Sequence, residues 1–123
     1  MLPRVIEKSK RTVIGHGLLD FRALANGTVM MIQNMTWTGA QGFSVSPERW
    51  SDFYVPYHDA GALGSLAGSG VFGRYHTERG LTFCTIATSG HMVPQYAPSA
   101  SYRQLEFLLG RIESLNDTRP FSA

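Results

Sequence analysis

Apolar residues recur at helical spacing most clearly near the end of this chain. Leu105, Leu108, Leu109, Ile112 and Leu115 fall at i, i+3, i+4, i+7 and i+10, which predicts an amphipathic helix with one face buried. Pro98 stops what precedes it, and Ser101 with Gln104 three residues later has capping-box spacing. Elsewhere the pattern leans towards strands. Arg11-Thr12-Val13-Ile14 predicts a buried strand running into a tight turn at Gly15-His16-Gly17. Leu18 to Ala25 reads as a turn leading into a helix, ended by Asn26-Gly27. Val29 to Trp37 is apolar and β-leaning, broken by Gln33 and Asn34, and Gly39, Gly42, Ser44, Ser46 and Pro47 then mark an irregular stretch. Trp50, Phe53, Tyr54 and Tyr57 open an aromatic, glycine-rich segment to Leu66 that reads as a satellite cluster under a long loop. A hairpin follows, with Gly70 to Thr77 as one strand, Glu78-Arg79-Gly80 as the turn and Leu81 to Ala87 as the return.

Strand, helix, irregular insert, hairpin and terminal helix together suit an α/β layer fold. So few helices over two or three strands would leave sheet edges and an apolar face open. Residues 1–123 therefore read as part of a domain.

Composition narrows the class. With 123 residues, 43% hydrophobic and 16% charged, the chain reads as globular and as one domain at most. A net charge of +2, with basic residues scattered apart from Lys8, Lys10 and Arg11, points away from a nucleic-acid partner and makes that cluster a solvated terminal face. No segment is long and apolar enough to span a membrane, and the first residues carry no apolar run of signal-peptide length. Yet Asn26-Gly27-Thr28, Asn34-Met35-Thr36 and Asn116-Asp117-Thr118 are three glycosylation sequons in a short chain, which points to a glycoprotein. A glycoprotein without its own address is a second reason to expect a partial chain. The single cysteine, Cys84, cannot form an internal disulfide. It reads as a buried small hydrophobe, or as the partner of a cysteine on another segment; Phe83 and Thr85 supply no charge to stabilise a thiolate.

Two motifs fall away on context. Gly68-Ser69-Gly70-Val71-Phe72-Gly73 matches G-x-G-x-x-G, but a β-leaning run follows where a phosphate-binding helix would have to begin. His76-Thr77-Glu78 matches the H-x-E of zinc deaminases without the required cysteine pair, and His16, His58, His76 and His91 lack metal-ligand spacing. No metal and no cofactor is expected.

His91 is different. It stands in Ser89-Gly90-His91-Met92-Val93-Pro94, just past a predicted strand, where a rigid sheet presents loop residues. Taken by itself such a histidine is more often an ordinary loop residue. Asp20 holds a parallel place after the first strand. In α/β-hydrolase architecture a catalytic triad runs Ser, then Asp or Glu, then His, each after a strand, and Asp20 followed by His91 fits the last two places.

The stretch from Leu81-Thr82-Phe83 to Ser89-Gly90-His91-Met92-Val93-Pro94-Gln95-Tyr96-Ala97-Pro98 resembles the catalytic-histidine signature of serine carboxypeptidases. Tyr102 to Leu108 is similar to that family's terminal helix, and Val13-Ile14 with Gly15-His16-Gly17-Leu18-Leu19-Asp20 looks like the strand and turn that present its catalytic aspartate. Asn26-Gly27-Thr28 to Asn34-Met35-Thr36-Trp37 resembles the secreted fungal branch. The resemblance implies the C-terminal part of an α/β-hydrolase fold and release of C-terminal amino acids from peptides through an acyl-enzyme. In it, His91 is the general base, Asp20 its orienting partner, and Met92 lines the pocket for the substrate's last residue. The complete enzyme would be secreted or vacuolar. No G-x-S-x-G occurs, and Ser65, Ser69 and Ser89 all fail the pattern. The nucleophile, the oxyanion hole and the carboxylate-binding residues would lie on an upstream segment, so this chain alone is expected to be inactive. The rivals are a module that binds peptides without cleaving them and a truncated gene product.

Overall fold

Leu81-Thr82-Phe83-Cys84-Thr85-Ile86 carries apolar residues on both of its alternating faces, the mark of a strand covered on both sides. In the computed structural model, which describes residues 1–58 and 68–122, this strand, β6 (Leu81–Ile86), lies inside a four-stranded sheet. The sheet order is β1-β6-β5-β4. β1 (Thr12–Gly17) pairs parallel with β6, from Thr12 against Leu81 to Gly17 against Ile86. β5 (Gly70–Glu78) pairs antiparallel with β6, and β4 (Ser51–Val55) runs antiparallel to β5 at the other edge. A bulge between Phe53 and Tyr54 shifts the β4–β5 register, so Phe72 and Tyr75 enter the same core.

Alternation along β6 divides the interior in two. Leu81 and Phe83 join Ile6, Ile32, Trp37, Phe43 and Trp50 on one face. Cys84 and Ile86 join Phe53, Val55, Tyr75, Val93, Ala97, Ala100 and Phe107 on the other. The first face is covered by α1 (Leu2–Lys8), α2 (Ala25–Asn34) and the ribbon of β2 (Thr36–Trp37) and β3 (Ala40–Gln41); the second by α3 (Val93–Tyr96) and α4 (Pro98–Leu108). The result is an α/β arrangement of three layers.

The expected hairpin forms as read. Its tight turn is Arg79-Gly80, with φ of +50° and +80°, the pair of positive angles a type I′ turn requires. Arginine is held in that region from outside. Its guanidinium donates to the carbonyls of Trp37 (2.6 Å), Ala40 (2.8 Å) and Gly42 and lies 3.8 Å over the Trp37 ring.

Four expectations are corrected. The run from Val29 is helical, and Asn26-Gly27 sits in the first turn of α2 instead of ending a helix. Val29 and Ile32, three apart, pack on the core while Met30 and Met31 face outwards, whereas a strand would have turned Met30 and Ile32 to one side. Gln33 stays in this apolar helix because its amide exchanges hydrogen bonds with the Phe43 backbone, accepting from N at 2.6 Å and donating to O at 3.4 Å.

The aromatic segment is no satellite loop at its start: Ser51–Val55 is β4, and Trp50 and Phe53 belong to the two main cores. Residues 59–67 of that segment lie outside the described residues.

The terminal stripe does not face inwards. α4 starts at Pro98, not Ser101, and buries Ser99, Ala100, Arg103, Glu106 and Phe107, leaving Leu105, Leu108 and Leu109 exposed. Gly110, at φ +72°, ends it in a Schellman motif, its N–H meeting Phe107 O at 3.1 Å and that of Arg111 meeting Glu106 O at 2.9 Å. Ile112 and Leu115 lie past that stop and return to the core by another route. Arg103 and Glu106 are buried because they satisfy each other at 2.7 Å and tie down the chain end, Arg103 through the Asp117 and Arg119 carbonyls and Glu106 through Ser122.

Arg11 is no part of a solvated face. It donates to Phe107 O (2.5 Å) and Ile112 O (3.0 Å) and stacks on the Phe107 ring. α1 itself had no signal in the apolar pattern.

Candidate active site

The parallel strands β1 and β6 end side by side, and the loops after them are laced together. Leu18 N donates to Ile86 O at 2.9 Å, and Leu19 N to Ser89 O at 3.0 Å. Gly17 makes this approach possible, because a Cβ there would run into the carbonyls of Ser89 and Gly90. Two residues 71 apart in sequence thus meet. His91 Nδ1 lies 2.8 Å from Asp20 Oδ2.

Asp20 is held on both oxygens. Oδ1 accepts the N–H groups of Arg22 (2.9 Å) and Ala23 (3.1 Å), and Oδ2 faces His91. The hydrogen bond from His91 is the largest influence on its carboxyl, followed by that from Ala23; burial opposes them. The group is held at about 2, below its ordinary 3.8. It is therefore an acceptor at any physiological pH, and Nδ1 of His91 is the donor. A neutral His91 so oriented carries its lone pair on Nε2. The aspartate is nearly buried, at 5% exposure, whereas the histidine side chain is 56% exposed. Both line an open cavity of about 540 Å³ with Leu19, Phe21, Met92 and Tyr96. Such a pair can take a proton from a group entering that cavity and return it.

A second histidine flanks the same carboxylate. His16 Nε2 lies 2.5 Å from Ala23 O and 3.5 Å from Asp20 Oδ2, and its Nδ1 is 3.0 Å from the Thr28 hydroxyl. Sequence reasoning put Gly15-His16-Gly17 in a tight turn; these residues instead extend β1, paired with Cys84, Thr85 and Ile86. The signal was the spacing of His16, four residues before Asp20 at the end of a strand.

Met92 is exposed and shares the cavity with His91. Asn26, Asn34 and Asn116 are all at the surface. Asn34 donates to Met30 O at 2.9 Å, and the amide oxygen of Asn116 accepts from the Ser114 hydroxyl at 2.5 Å. Ser89 is buried and donates to Gly90 O. Ser65 lies outside the described residues. β5 follows Gly68-Ser69, where a dinucleotide site would need a helix. His76 pairs with Glu78 at 3.0 Å, away from the Asp20 cavity. Cys84 is fully buried, which pushes its thiol up to about 12 and leaves no thiolate. Among the described residues, no group of three or more His, Cys, Asp or Glu side chains is placed to hold a metal ion, and no helix is long and apolar enough to cross a membrane.

Known proteins share this fold. Over 89% of the chain, the fold superposes with a TM-score of 0.63 on the crystal structure of Kex1(delta)p, a prohormone-processing carboxypeptidase from Saccharomyces cerevisiae; the match covers 21% of that protein at 24% identity. The architecture is that of the α/β-hydrolase fold. A probable serine carboxypeptidase of Arthroderma benhamiae is 59% identical over 94% of this chain and 22% of its own length. A carboxypeptidase Y homolog of the same fungus is 50% identical over 95% of this chain, and the serine-type carboxypeptidase F of Aspergillus niger 43% over 94%. The chain spans about a fifth of the length of these relatives. The family model for serine carboxypeptidases matches residues 1–110, and the chain belongs to that family.

Proposed function

We propose that Asp20 and His91 are the orienting acid and the general base of a serine carboxypeptidase whose nucleophile lies on a segment outside these 123 residues. The observation that carries this reading is the 2.8 Å contact between a nearly buried carboxylate and an exposed imidazole at the mouth of an open cavity. Nε2 of His91 takes the proton of a serine hydroxyl as its oxygen attacks the scissile carbonyl. As the C–N bond breaks, the same nitrogen returns the proton to the leaving amine, the last amino acid of the peptide. A water molecule then repeats the sequence on the acyl-enzyme. Asp20 holds the ring in the useful tautomer and stabilises its charged form. Met92 lines the subsite for the departing residue. The apolar lining around it, Leu19, Phe21 and Tyr96, favours a substrate with an apolar end.

The partner implied is the nucleophile-bearing segment of the same enzyme, and the substrates are peptide and protein C-termini. Secretion or delivery to a vacuole, with glycans on Asn26, Asn34 and Asn116, fits the three exposed sequons. The test is release of the terminal amino acid from an N-blocked dipeptide. The full-length protein carrying this chain cleaves it, and the 123-residue chain alone does not. Turnover by the isolated chain overturns the reading. Failure of the full-length protein to cleave, with peptide still bound, favours a binding module instead.

A further inference from the structure

The ring of His16 is 10% exposed and meets polar partners on both nitrogens. Ala23 O can only accept, so Nε2, at 2.5 Å from it, carries the proton. In the neutral ring Nδ1 then accepts, and the Thr28 hydroxyl donates to it at 3.0 Å. Ala23 is thereby held twice, its N–H on Asp20 Oδ1 and its C=O on His16. These bonds close a ring through Asp20, Ala23 and His16. The ring fixes the turn after Asp20 and with it the rotamer that sends Oδ2 to His91.

We propose that His16 is a positioning residue: its Nε2–H holds the Ala23 carbonyl, and through Ala23 it keeps the Asp20 carboxylate aimed at His91. Thr28 sets the tautomer that makes this possible. The hydroxyl of Thr28 also completes the sequon Asn26-Gly27-Thr28, so one side chain belongs to the sequon and sets the tautomer of His16. The inference rests on the proposed role of Asp20.

The test compares His16→Phe, which keeps an aromatic ring without a donor, with His16→Gln, whose amide N–H can replace Nε2–H. In the full-length protein, carboxyl-carbon NMR with labelled aspartate follows the titration of Asp20. The midpoint stays at its unsubstituted value with Gln and climbs towards the ordinary carboxyl range with Phe. A role in packing alone predicts the opposite order, with Phe better tolerated than Gln. In the full-length enzyme, Phe lowers kcat on the order of 10-fold or more with KM held, and Gln restores most of it. Thr28→Val shifts the Asp20 midpoint the same way by less, and Asn26→Gln, which removes the sequon alone, leaves it unchanged. An Asp20 midpoint that stays put in both His16→Phe and Thr28→Val overturns the proposal. Full activity of an Asp20→Asn enzyme instead overturns the role of Asp20 itself, whatever the NMR titration shows.

Discussion

Among the described residues, two carboxylate–histidine pairs lie within hydrogen-bond distance, and they differ in everything but their chemistry. Asp20 meets His91 at 2.8 Å, and Glu78 meets His76 at 3.0 Å. Both carboxyls are held at about 2. For Glu78 burial is the largest influence and raises the value, but the bonds from His76, Ser44 and Arg79 together outweigh it. Asp20 and His91 come from loops after two parallel strands, and the His91 ring opens on a cavity. Glu78 and His76 sit two residues apart on one strand. The His76 ring is 18% exposed, edge-on to Phe43 with centroids 5.0 Å apart and stacked on Trp50. A depressed carboxyl next to an imidazole is thus not the mark of a site. On the proposed reading, what sets the Asp20 pair apart is an exposed ring facing space that a substrate can enter.

Breaking the pairs separates them most sharply by activity. In the full-length enzyme Asp20→Asn lowers kcat by about 10⁴-fold, as loss of the correct tautomer does in a triad. Glu78→Gln leaves kcat unchanged, and dipeptide hydrolysis reads both. Stability gives the next largest effect, from a third pair with no catalytic exposure. Arg103→Ala removes one partner of the buried bond to Glu106 and costs about 3–5 kcal/mol in urea unfolding, because a buried carboxylate is left unpaired.

Gly17→Ala tests how the first pair is assembled. A methyl group directed at the Ser89 and Gly90 carbonyls costs about 1–3 kcal/mol and spreads the two loops. The Asp20 titration midpoint rises while that of Glu78 stays, as carboxyl-carbon NMR will show.

The smallest effect is on acid stability, where the two pairs act alike. Each carboxyl binds its proton more weakly in the folded chain than in the unfolded one. The stability they supply is fully present above their ordinary values of 3.8 and 4.5 and is lost as the pH falls towards about 2. Thermal unfolding between pH 5 and 2 shows this slope, and Asp20→Asn and Glu78→Gln each flatten it.

The difference between the pairs also explains what could be read from the sequence. β6 and the hairpin were legible because a β-favouring run and a glycine-bearing turn are local signals. Asp20 and His91 were legible as loop residues after strands. Their contact depends on Gly17, whose value lies in a neighbour 72 positions on, Ser89. His16 was hidden for the same reason, since its partners are a carbonyl and a hydroxyl brought close by the turn. α2 was misread because four apolar residues in a row, Val29 to Ile32, have no visible period. The α4 stripe misled because an ion pair, Arg103 with Glu106, occupies the buried face that leucines were expected to fill. Gly110 was the readable sign that the helix stops before Ile112.

The central claim is that His91, and not His76, is the working histidine. The measurement is the rate of C-terminal amino acid release by the full-length protein with His91→Ala, set beside His76→Ala. The account predicts that activity collapses by about 10⁴-fold or more in the first and stays near the wild-type value per folded molecule in the second. Hydrolysis that survives His91→Ala, or that falls equally in both, would contradict it.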